Sequence, residues 1–181
     1  MRVISEADEE DSFTEMFLAT QHSALHLEVR DNYAVDEESD ALRTWRKDGS
    51  VVETDADREW TDLVRDMTGR RVVVARLRIV SVPPGEYTRW LAENSDDNIA
   101  AGEEIRWLPR NSVQGDVPLD DWWLFDRSTV GFTTFDDDDV FTGVAVTADP
   151  AIASVCADAW DRLWPQGVDH AGFMNGEFVL Q

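Results

Sequence analysis

The sequence predicts a mixed α/β (α+β) domain: a mixed sheet with flanking helices, a C-terminal antiparallel meander and a closing helix. Three observations predict it. Period-two hydrophobic runs alternate with runs at helical spacing through the first two thirds of the chain. From Trp122 onward, three strand-like runs follow one another with only turn residues between them. An apolar stripe behind Asp149-Pro150 then supplies a last helix. The 181 residues contain no internal repeat and no linker, so 1–181 is expected to be a single domain with its own core.

Taken in order, the elements have local causes. Residues 1–11 are acidic and expected to be loose, until Phe13, Met16 and Phe17 at i, i+3, i+4 mark a short docking helix. Residues 24–30 alternate Leu25, Leu27 and Val29 against His26, Glu28 and Arg30, which predicts a strand ended by Asp31-Asn32. Residues 35–47 follow as a helix with Leu42 and Trp45 on one face, stopped by Asp48-Gly49. Trp60, Leu63, Val64 and Met67 predict a second helix behind the cap-like residues 54–57, ended by Gly69. Residues 71–81 (RVVVARLRIVS) are rich in β-branched side chains and stop at Pro83-Pro84-Gly85, which predicts a strand. Tyr87, Trp90 and Leu91 share a face of the next helix, which fades through residues 94–97 toward Gly102, and residues 104–108 form a short strand. The meander occupies 122–125, 129–135 and 140–147, with turns at 126–128 and 136–139. Ile152, Val155, Cys156, Ala159 and Leu163 form the stripe of the closing helix, ended by Pro165 and Gly167. The Gly-rich tail 168–181 is expected either to dock as an edge strand or to stay mobile.

Charge narrows the partners. With 38 acidic against 16 basic residues the net charge is −22, and Lys47 is the single lysine. Such a surface repels phosphate backbones and anionic lipid heads, so direct nucleic-acid and membrane binding are disfavoured, and a basic protein partner or simple solubility is favoured. One cysteine, no leader-like N-terminus and no membrane-length apolar run make the cytoplasm the expected location. The arginine-over-lysine bias fits a high-GC genome or a salt-adapted organism.

Recognisable chemistry is missing. His22 and His26 stand at i, i+4, a metal spacing on a helix that loses its meaning on a strand, and no third ligand follows. Cys156 sits within an apolar stripe, where a cysteine acts as a small hydrophobe. The run 136–139 (DDDD) lacks the spacing of a calcium loop and reads as a solvated hairpin tip. No metal or cofactor is expected. The denser signal is aromatic residues mixed with arginine at 27–33, at 80–90 with 98 and 102–110, and at 121–126, a composition typical of binding hot spots and also of an aromatic core rimmed by arginines. Its candidate binding residues are Arg30, Tyr33, Tyr87, Arg89, Trp90, Asn98, Glu103, Arg106, Trp107 and Asp126. Alternation should bury at least one of Trp122 and Trp123.

On LEVRDNYAVDEE, RIVSVPPGEYTRW, Asn98 with AGEEIRWLPR, DWWLFD and the Asp149-Pro150 helix ending in AWDRLW, the chain resembles a family of uncharacterised actinobacterial proteins associated with loci for helix-turn-helix regulators. That resemblance implies no activity. The order of elements is also similar to one half of the phospholipase D-like fold, whose pattern is H-x-K-x-x-x-x-D. Matching its aspartate to Asp126 puts Asp121 at the lysine position and Leu119 at the histidine position. Neither can do the work of its counterpart, so the resemblance implies a scaffold reused for sensing or binding.

The leading expectation is a non-enzymatic regulatory or interaction domain that binds a protein partner, such as a basic DNA-binding regulator. Two alternatives stand beside it. A small-ligand sensor or enzyme would need one pocket lined by Tyr87, Arg89, Asn98, Glu103, Arg106 and Asp126. A DNA mimic would need carboxylates at phosphate-like spacing on one face. Oligomeric state is not legible in the sequence.

Overall fold

A computed structural model describes residues 2–33, 36–136 and 140–176, with the side chains of 2–12 and 36–39 outside the description. In chain order the elements are β1 (Arg2–Ser5), α1 (Glu6–Ala19), β2 (Ser23–Glu28), α2 (Asp36–Asp48), α3 (Asp55–Gly69), β3 (Val73–Val80), α4 (Glu86–Glu93), α5 (Asp96–Ala101) and β4 (Glu104–Pro109). There follow β5 (Trp122–Phe125), β6 (Thr129–Phe135), β7 (Phe141–Thr147), α6 (Pro150–Leu163), β8 (Val168–Asp169) and α7 (His170–Met174).

The described strands form one mixed sheet in the order β1-β7-β6-β5-β2-β3-β4-β8. Strands β2, β3 and β4 are parallel, so each needs a crossover, supplied by α2 with α3 and then by α4 with α5. The meander β5-β6-β7 lies antiparallel on the other side of β2. Helix α3 starts on a capping box in which the Thr54 hydroxyl accepts from the Asp57 N–H and the Asp57 carboxylate accepts from the Thr54 N–H. Helix α6 starts with Asp149 accepting from the Ala151 N–H and Pro150 in the first turn. At the end of α5, Gly102 takes φ +109, a conformation suited to glycine, and turns the chain directly into β4.

The two faces of the sheet are closed differently. On one, Leu25, Leu27, Ala75, Leu77, Trp122, Leu124 and Val130 pack against Ala153, Cys156, Ala157, Trp160 and Leu163 of α6. Each fully buried leucine there contributes on the order of 1.5–3 kcal/mol. On the other, Ala24, Val74, Trp123 and Phe125 meet Phe17 of α1, Val64 and Met67 of α3 and Ala101 of α5. Farther along that face Val80, Ile105 and Trp107 meet Ala92 of α4 and Phe173 of α7.

Several expectations are corrected. Residues 2–5, expected to be loose, pair antiparallel with β7, because that meander strand would otherwise be an open edge, and the helix announced by Phe13 begins at Glu6. The alternation on β2 puts His26 and Glu28 on the face opposite Leu25 and Leu27, and that polar face is buried as well, since the crossover helices cover it. Trp122 and Trp123 are both buried, which meets the expectation of at least one: Trp122 lies under α6 and Trp123 under α1, α3 and α5 on the other face. The inward stripe of α6 is Ala153, Cys156, Ala157, Trp160 and Leu163, while Val155 is exposed. The tail docks through β8 and α7 as far as Gly176, and residues 177–181 lie outside the described residues, as do 137–139 of the acidic hairpin tip.

Candidate functional site

Cross-strand register assembles a charged cluster inside the helix-covered face. His26 pairs with Arg76 and Glu28 with Arg78, while Trp123 and Trp107 flank them on β5 and β4. Glu28 accepts from Arg76 Nη1 at 2.5 Å and from Arg78 Nε. Arg76 Nε donates to Glu103 Oε1 at 2.6 Å, and Glu103 Oε2 accepts from Trp60 Nε1 at 2.9 Å. Arg78 also donates to Ser95 Oγ at 3.2 Å and lies over the Trp107 ring. Two guanidinium groups therefore face two carboxylates with little solvent, and the set is charge-balanced.

Electrostatics fix the state of these groups. Burial works to raise the Glu28 carboxyl, but Arg78 and Arg76 outweigh it and hold its pKa well below the carboxylate range. Burial also works against the charge on Arg76, and Glu103 with Glu28 more than offsets it, so Arg76 stays ionised. Burial pushes His26 down to about 3 despite Glu28, with Arg76 and Arg78 adding to the shift. The neutral imidazole stacks on Trp123 at 4.1 Å. Its Nδ1 lies 3.3 Å from Glu28 Oε1 but outside hydrogen-bond geometry, so that atom is buried without a partner. With its charges paired to one another and buried, this closed cluster reads as structural.

Beside it, Asp121 ties β5 to the end of β2, accepting from the Val29 N–H at 2.6 Å and from Tyr33 Oη at 2.5 Å. Burial raises its pKa to about 6, against those two hydrogen bonds, and Glu28 adds to the rise.

The open feature lies on the other face. Trp122 and Phe132 form the floor of a cleft of about 320 Å³ between residues 118–120 and the Ile152, Val155, Cys156 and Ala159 side of α6. Its lining is almost wholly apolar. Leu119 is 90% exposed and Val155 68% exposed, one on each lip. The stripe read from the sequence divides here: Leu163 turns into the core, Cys156 lies between core and cleft, and Ile152, Val155 and Ala159 at i, i+3, i+7 face the cleft. Burial pushes the Cys156 thiol up to about 11, so it acts as a small apolar side chain.

The ten predicted site residues do not converge. Tyr33, Tyr87 and Trp90 form an aromatic group near the end of β2, with Tyr87 5.4 Å from Trp90 and 6.0 Å from Tyr33. The Trp90 Nε1 is buried without a hydrogen-bond partner among the described residues. Arg30 lies close by, stacked over Phe135 at 4.0 Å, and Arg89 is exposed on α4. Glu103 and Trp107 belong to the charged cluster, whereas Arg106 points to the opposite face, over the Trp164 ring at 4.6 Å. Asn98 is half-buried, and its carbonyl accepts from the Glu103 N–H at 3.0 Å. Asp126 sits at the other end of β2, accepting from the N–H groups of Gln21, His22 and Ser23. Those three bonds hold its carboxyl below the ordinary range against the effect of burial. Tyr87, on α4, and Asp126, in the turn after β5, thus lie near opposite ends of β2, so among the described residues the six that a small-ligand site required are not brought together.

Sequence reasoning missed Glu28, Arg76 and Arg78. The available signal was two titratable residues spaced by two in each of two strands bounded by helices, which places them on one covered face. The groove lips, Leu119 and Val155, carry no comparable signal.

A family model described as a domain of unknown function (DUF6879) matches residues 11–175. No curated protein matches the chain. Among solved structures the chain is similar to TrmBL2, an archaeal chromatin protein whose structure shows a novel mode of DNA binding, with 15% identity and a TM-score of 0.50. The match covers 93% of this chain and 55% of that one, so this chain spans little more than half of its neighbour's length. At that identity the likeness is one of fold.

Proposed function

The chain belongs to the DUF6879 family, a domain of unknown function, and from that premise we propose that it is a non-enzymatic regulatory domain that binds a basic protein partner through the groove beside α6. The observation that carries this reading is the pair of exposed lips, Leu119 and Val155, on an apolar cleft within a chain of net charge −22. Contiguous apolar surface of this kind is a common mark of protein contact. Asp120, Asp149 and Asp158 are exposed near the cleft or on the same helix. A partner segment that presents a large apolar side chain flanked by Lys or Arg satisfies both features, and the charges would speed its arrival. Helix-turn-helix regulators are basic proteins of this kind, and the family resemblance points to them. The DNA binding of the structural neighbour is not carried over, because the acidic surface repels a phosphate backbone.

A photo-reactive benzoylphenylalanine at position 155, in cells that naturally make the protein, tests the reading. The expected product is a cross-link to a different protein, mapped to a basic amphipathic segment and abolished by Leu119→Asp. Cross-links confined to another copy of this chain, or none at all, would overturn it.

A further inference from the structure

We propose that the outer edge of β4 at Glu104 is a second docking site, separate from the α6 groove, that accepts a short extended peptide segment bearing Lys or Arg. Strand β8 pairs with β4 only at Arg106 and Trp107. Glu104 and Ile105 continue the same strand, paired with β3 at Ala75 and Arg76, and no described strand lies on their outer side; Ile105 is buried with Phe173 of α7, while Glu104 is exposed. An open edge of this kind offers backbone donors and acceptors to an incoming strand.

A cavity of about 530 Å³ lies over this edge. Residues 102–106 form its floor, Asp96 and Ile99 of α5 one wall, and residues 169–171 the other. Its carboxylates give the occupant its chemistry. Asp96, Glu104 and Asp169 are exposed there, while Glu103 is turned into the buried cluster. Asp169 is held in place by accepting from the Gly172 N–H at 2.8 Å. The nearby cation, Arg106, is committed elsewhere: Nη1 donates to the Trp164 carbonyl at 3.1 Å, and the guanidinium stacks on that residue's ring.

His170 does not neutralise the cleft either. Trp107 Nε1 donates to His170 Nδ1 at 3.2 Å, which places the ring hydrogen on Nε2, 3.4 Å from Asp96 Oδ1. Burial outweighs Asp96 and keeps the His170 pKa below its ordinary value, so the ring is neutral near pH 7. Three carboxylates thus face an edge that offers backbone hydrogen bonds, with the apolar Ile99 between them. That combination fits an extended cationic segment better than a compact metal ion, for which the described residues hold no ligand cluster.

Fluorescence anisotropy with a labelled Lys-Val-Lys-Val-Lys peptide on the full chain tests this directly. Two controls accompany it: the same peptide with alternate backbone nitrogens methylated, and Glu-Val-Glu-Val-Glu. The expected result is binding of the first peptide alone, with backbone methylation costing at least about tenfold in affinity. Asp96→Asn/Glu104→Gln should cost about fivefold or more, Val155→Asp should cost nothing, and hydrogen exchange should slow at residues 103–106. Equal binding of the methylated peptide, or equal binding to the doubly substituted protein, would overturn the proposal. So would the absence of binding to the full chain. If a chain ending at Gly176 then binds the peptide, the occupant of the edge is this protein's own residues 177–181 and not a partner.

Discussion

The same strands present two unlike surfaces. Against α6 the sheet offers Leu27, Leu77, Trp122 and Leu124, and one helix covers it, leaving part of the apolar floor open as a groove. Against the crossover helices it offers His26, Glu28, Arg76 and Arg78, and that face is closed over the charges. The difference teaches that conspicuous chemistry and open surface need not coincide. The charged face resembles an active site in composition, yet its groups are spent on one another, while the plain face retains unspent area.

Breaking the closed face should have the largest effect. Glu28→Ala leaves two buried guanidinium groups short of a partner and is expected to cost about 3–5 kcal/mol in urea unfolding. Replacing both Glu28 and Arg78 with Met should recover most of that loss, because Arg76 keeps Glu103. Recovery would show that charge balance matters more than the ions themselves. On the α6 face, Leu124→Ala is expected to cost about 3 kcal/mol through its cavity. That loss should be nearly independent of pH.

The pH dependence sharpens the contrast, with His26 and Asp121 acting in opposite senses. The His26 pKa is about 3 in the fold against 6.5 for a free side chain, so the unfolded chain gains protons first and stability falls as pH drops from 6.5 toward 3. His26→Phe, which keeps a ring on Trp123, should flatten the stability profile over that window. Asp121 acts in the opposite sense. Its pKa is about 6 against 3.8, so its unfavourable contribution is absent below about pH 4 and grows as pH rises to 6. Asp121→Asn should remove that decline. Unfolding midpoints from pH 3 to 8 check both, and an unchanged slope in either variant would mean that the group is not held as described. The smallest effect on stability belongs to the groove lip, where Val155→Asp should change it by no more than about 0.5 kcal/mol.

Much of the fold was legible because its signals are local. The capping box at Thr54, the Asp149-Pro150 start of α6 and the consecutive strands after Trp122 depend on neighbours in sequence, and each element lies where it was expected. What depended on distant partners was not legible. The alternation of β2 is real, but whether His26 and Glu28 meet water depends on helices that parallel strands require elsewhere in the chain. The role of Asp126 depends on residues 21–23, more than one hundred positions away. Periodicity also showed the apolar side of α6 without dividing it into a buried stripe and a groove-facing one. That division is set by residues 118–120, which carry no periodic signal of their own.

The most direct measurement of the central claim, that the α6 face binds while the charged face holds the fold, places Leu119→Asp/Val155→Asp protein beside wild type. Partner capture and urea unfolding are then read on both. The account predicts that partner binding falls at least about tenfold while the unfolding midpoint stays in place. Undiminished binding with both aspartates on the lips of the groove would contradict it.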